Sequence, residues 1–170
     1  MPARLSRKRS QLSSPEFAHT RFSFERRPTP VPGDMRITWR VSLILLMLSE
    51  SRSNRASLAK LHILNDAIRS NQVARLRDAT DADAKILPWN LRVEPAFARA
   101  IDFVVGERLA EWTKAGGRAS LQLTSTGLAA SAQIEKVEDV LERERAIIVE
   151  HAKKLTEIRV SALLGERQAA

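Results

Sequence analysis

Between Leu109 and Gly127 the sequence places two short strand-forming runs, a glycine pair between them and a hydroxyl residue behind them. Leu109 to Thr113 and Ala119 to Leu123 are spaced for an antiparallel pair, and Lys114-Ala115-Gly116-Gly117-Arg118 supplies the turn. Thr124-Ser125-Thr126-Gly127 then offers an N-cap for a further helix. Upstream, Glu94-Pro95 puts proline at a first helical position, and Phe97, Ala100, Ile101, Val104 and Val105 share one face of a helix running from Pro95 to about Arg108. Helix, hairpin and capped helix in this order are the second half of a winged helix-turn-helix. The fold expected is mainly α with a small β-hairpin.

The first half fits that frame. Val41 to Leu48 is nearly apolar all round, which predicts a helix buried on more than one side; at eight residues it is far short of the roughly 20 that a membrane span needs. With no small-residue cleavage pattern behind it, a secretory signal is not expected, and the cytoplasm is the expected location. Ser53 or Asn54 can cap a second helix, Ala56 to Ser70, with a stripe of Leu58, Leu61, Leu64, Ala67 and Ile68. His62 and Asp66, one turn apart on it, are expected to pair. Val73 to Leu76 reads as a helical turn, and Ile86 to Val93 as an extended segment that Pro88 confines to an edge.

From Leu128 a helical pattern runs without proline, and without glycine until Gly165. Ile134, Val137, Leu141, Glu144, Ile148, His151, Leu155, Ile158 and Ala162 recur at alternating spacings of three and four, a heptad seam. A single helix of about 38 residues would span roughly 57 Å, more than a domain of this size can cover. The seam therefore predicts a long amphipathic interaction helix over 131–165, with Ile134, Val137, Leu141, Ile148, His151, Leu155 and Ile158 as the partner interface. The partner is another protein or a second copy in a homodimer.

Charge is unevenly spread. Of the net +8, half lies in the first 34 residues, where seven basic side chains face three acidic ones among serines and prolines. This predicts a disordered basic tail over 1–34, a winged-helix domain over 35–130, and Met35 as an alternative start of the native chain. Residues 35–134 carry a further +5. If the domain meets DNA, it does so weakly, through Arg92, Arg99 and Arg108 around the second helix and Lys114 and Arg118 in the wing. The alanine-rich start of that helix is poorly equipped to read base edges, and Asp102 and Glu107 would repel phosphate.

The chain has no cysteine and only His19, His62 and His151, so disulfides and thiolate chemistry are excluded and no close histidine pair exists to hold a metal. None of the six glycines forms a phosphate-cradling loop. No catalytic residue, cofactor or metal is expected, and the chain reads as a non-enzyme.

The stretches Ala56 to Ser70, Arg92 to Asp102 and Leu121 to Gly127 resemble the small middle components of bacterial ABC-three-component systems, over about residues 37–134. The resemblance implies an adaptor that links an ABC-type ATPase to an effector in a conflict or defence system. The Leu123-Thr124-x-x-Gly127 exit is also similar to that of winged-helix regulators of the MarR and PadR type, which implies the alternative, a dimeric DNA-binding transcriptional regulator.

Overall fold

In the computed structural model the structure describes residues 33–115, 117–137 and 140–165. The described residues belong to one compact unit, Val31–Ala170. The expected basic tail, up to residue 32, lies outside them.

Helix α1 (Gly33–Ser49) is the centre of the core. Leu43 to Leu48 are all buried, as an all-round apolar run requires, because four of the later helices and the sheet pack around it. It reaches back to Gly33, so the expected boundary at residue 34 falls inside its first turn. Serine hydroxyls end it: Ser49 Oγ donates to the Leu46 carbonyl and Ser51 Oγ to that of Met47. A 3₁₀ turn (Arg52–Asn54) follows, then strand β1 (Arg55–Ser57) and helix α2 (Leu58–Arg69). The cap of α2 is Ser57, whose hydroxyl accepts from the Lys60 N–H at 3.2 Å, rather than Ser53 or Asn54. The helix starts two residues later than expected because Arg55, Ala56 and Ser57 are drawn into a ladder with Gln122, Leu121 and Ser120.

Helix α3 (Val73–Thr80) is a full two turns rather than one, burying Leu76 and Ala79. Residues 81–94 form no strand. Trp89 nevertheless anchors this segment: its backbone N–H donates to the Leu163 carbonyl at 2.7 Å, its indole N–H to Asp66 at 3.1 Å, and the Arg75 guanidinium lies 4.5 Å from its ring centre. Helix α4 (Pro95–Gly106) buries Phe97, Ala100, Ile101 and Val104 as the spacing predicts, and stops two residues early, before Arg108 takes a left-handed conformation at φ 56°.

Strands β2 (Ala110–Ala115) and β3 (Arg118–Leu123) form the expected hairpin, with Gly117 at φ 76° in the turn. With β1 they make an antiparallel sheet of order β1-β3-β2. Thr124 caps α5 (Ser125–Lys136), accepting from the Gly127 N–H at 3.1 Å. Gly127 is required by contact: a Cβ there would stand 1.9 Å from the Leu109 carbonyl oxygen.

The single long C-terminal helix is not formed. The segment breaks into α5, α6 (Glu142–His151) and α7 (Glu157–Leu163), with Leu141 left-handed at φ 58° before α6 and Thr156 capping α7. Folding back buries Ile147, Ile148, Ala152, Leu155, Val160 and Leu163 in the same core as α1. A straight helix would leave most of that area in water, and its burial outweighs the few hydrogen bonds lost at the breaks.

Candidate functional site

Two groups of residues stand out: the exposed side chains on and beside α4 and the hairpin, which pack against each other through α4 and β2, and charged side chains at the two ends of α2.

In the first, Arg92, Arg99, Arg108 and Lys114 are exposed, and so are Asp102, Glu107 and Glu111 on or next to the same elements. Arg118 is different: it is half-buried and its guanidinium donates to Ser161 Oγ at 2.9 Å, which ties it to α7. Large apolar side chains are also exposed on these segments: Val93 at 65%, Phe103 at 44% and Trp112 at 50%. The sequence pattern marks none of them in advance. Phe103 falls outside the core stripe of α4, and Trp112 lies on an edge strand beyond the reach of the core.

The seven expected interface residues do not form a seam. Ile148, His151 and Leu155 are buried inside the chain's own core, Ile134 and Leu141 are half-buried, and only Val137 and Ile158 are exposed. The His151 Nδ1 lies 3.0 Å from Thr80 Oγ1, and burial pushes its pKa below the ordinary value; Glu150 opposes the shift, while Lys154 and Arg77 add to it.

At the C-terminal half of α2, the residue before α4 acts as a node. The Glu94 carboxylate accepts from Arg40 at 2.7 Å and from Asn65 at 3.2 Å, with Arg69 at 3.6 Å. Burial alone would raise its pKa; the hydrogen bonds from Arg40 and Asn65 and the charges of Arg40 and Arg69 outweigh burial and hold it below the ordinary value. His62 does not pair with Asp66. Its ring meets Phe97 edge-on at 5.1 Å, Asp66 is taken by Trp89 and Ser70, and burial lowers the His62 pKa against the pull of Glu94.

At the N-terminal end of α2 lies Lys60, only 3% exposed and in no candidate set read from the sequence. Burial lowers its pKa to about 8, with Glu157 opposing and Arg52 adding to the shift. Among the described residues no group of three His, Asp or Glu side chains could hold a metal ion, and no helix is long and apolar enough to cross a membrane.

Comparison of the chain with protein-family models, with curated proteins and with solved structures found no match to any of them.

Proposed function

We propose that this chain is a non-enzymatic winged helix-turn-helix adaptor, working in the cytoplasm, that docks a partner protein on the face formed by α4 and the hairpin. The element order α1-β1-α2-α4-β2-β3 with sheet order β1-β3-β2 supports the winged-helix reading, α3 being an insertion and α4 the second helix of the motif. The observation that carries the adaptor reading is the composition of the exposed face. Where a DNA reader needs polar and basic groups, it offers Val93, Phe103 and Trp112, with Asp102, Glu107 and Glu111 among the cations. Exposed aromatic anchors with a charged rim suit a protein surface.

The resemblance over residues 37–134 names the partners to try first, an ABC-type ATPase and its effector. Co-expression of the full chain with the products of adjacent genes tests this. One of them should co-purify with the wild type and be lost with Phe103→Asp or Trp112→Asp, the circular dichroism spectrum staying unchanged. Co-purification indifferent to both substitutions would remove the docking face.

The second reading, a dimeric DNA-binding regulator, is favoured by the exposure of Arg92, Arg99, Arg108 and Lys114 on and beside α4 and β2. It requires sequence-selective duplex binding that Arg99→Ala weakens.

A further inference from the structure

A cleft of about 300 Å³ opens between the start of α2 and the link from α6 to α7, lined by Arg52, Arg55, Lys60, Lys153, Thr156 and Glu157, with Ser53 and Ile158 completing it. We propose that this cleft binds a small phosphate-type anion, either inorganic phosphate or the phosphate group of a small ester, on Lys60, Arg52 and Arg55. This goes beyond the adaptor reading and stands without it.

Lys60 carries the argument. A lysine side chain this deeply buried ordinarily has a carboxylate in contact, because an ammonium taken out of water without a partner is costly. Among the described residues Lys60 Nζ makes no hydrogen bond and no ion pair within 4 Å; Glu157 acts on it only at longer range. One Glu157 oxygen accepts from the Ser57 N–H at 3.1 Å, and the other, also buried, has no hydrogen-bond partner and lies more than 4 Å from the ammonium. Lys153 has a distant partner in Glu50 at 3.9 Å, whereas Arg52 and Arg55 have none among the described residues. Four cations thus face one carboxylate around an ammonium whose open side is the cleft. That excess of charge suits a dianion: two guanidiniums can each present paired N–H donors, and the ammonium supplies a point charge behind them.

The walls choose between phosphate sources. The ammonium lies below the surface, between the 3₁₀ turn and β1 on one side and the α6–α7 link on the other. A small molecule can reach it, while a duplex backbone is held at the rim. Ile158, 67% exposed, gives the organic part of an ester an apolar surface to cover.

The test is calorimetric titration of the full chain with inorganic phosphate, at constant ionic strength and pH 7. Saturable one-to-one binding is expected. Lys60→Met should weaken it by about tenfold to a hundredfold, the loss of one charged hydrogen-bonding partner, while melting at or above the wild-type temperature. Arg55→Gln should weaken it less. Absence of saturation up to tens of millimolar phosphate, or an affinity that Lys60→Met leaves unchanged, would overturn the proposal. So would a duplex-binding signal that Lys60→Met removes while phosphate fails to bind, because the cleft would then be a nucleic-acid contact.

Discussion

Helix α2 carries two charged clusters of opposite character, one at each end. Around Glu94 every charge is answered: Arg40, Asn65 and Arg69 converge on one carboxylate, and the network joins α1, α2 and α4. Around Lys60 the cations outnumber the one carboxylate, Glu157, and the ammonium is left open to a cleft. A network of this kind holds a fold together by pairing its buried charges, even though Asn65 Oδ1 and Arg40 Nε within it are left without a hydrogen-bond partner. An open one works against the fold and is useful only when something else completes it. Charge inside a protein therefore has to be judged by its partners rather than by its burial.

Substitutions can break or sharpen this contrast. The largest effect concerns the core that positions one wall of the cleft. Ile148 is fully buried in α6, so Ile148→Asp places an unpaired charge there and should cost at least about 3 kcal/mol in urea unfolding. A change in assembly mass with unaltered stability would instead restore Ile148 to an interchain seam. Glu94→Ala leaves Arg40 and Asn65 without their acceptor and should cost about 2–3 kcal/mol. Lys60→Met should act in the opposite direction, stabilising the protein at pH 7 by about 1–3 kcal/mol. If both substitutions destabilise alike, the two clusters are of one kind.

The pH dependence separates the clusters further. Glu94 titrates below its ordinary 4.5 in the folded chain, so its contribution is complete above that value and disappears as pH falls through the folded pKa. His62 and His151, both lowered from 6.5, work in the same direction: below 6.5 the unfolded chain takes up protons that the folded chain refuses. Stability should therefore fall in two stages on acidification, and Glu94→Ala should remove the lower one. Lys60 acts on the alkaline side. From pH 8 to 10.5 the folded ammonium has discharged while the unfolded one keeps its proton, so stability should rise over that window in wild type relative to Lys60→Met. The smallest effect is expected at Trp112→Ala, where a half-exposed ring on an edge strand should change stability by less than about 1 kcal/mol.

What could be foreseen divides along similar lines. Elements with a local cause are legible in the sequence: α1 from its apolar run, α4 from Pro95 and its stripe, the hairpin from Gly117, α5 from the Thr124 cap. Strand β1 is not, since three residues carry no alternation and exist as a strand only because β3, more than sixty residues later, pairs with them. The C-terminal spacing fits a heptad seam, yet Ile148 and Leu155 turn to α1 and the preceding core rather than to another chain, a choice that no spacing within the segment records. The charged clusters are hidden for the same reason. Glu94 is 54 residues from Arg40 and 29 from Asn65. Lys60 reads as a polar neighbour of a leucine stripe until the link to α7 arrives from nearly a hundred positions away.

The functional claim rests on the face of α4 and the hairpin, and the most direct measurement is fluorescence anisotropy of labelled duplexes, random and taken from upstream of the gene, titrated with the full chain at low and raised salt. The adaptor account predicts binding that is weak, indifferent to sequence and lost as salt rises, the behaviour of cations meeting phosphate without reading bases. Binding of one duplex about a thousandfold tighter than random DNA, weakened by Arg99→Ala, would contradict it and make the α4 face a reader of DNA.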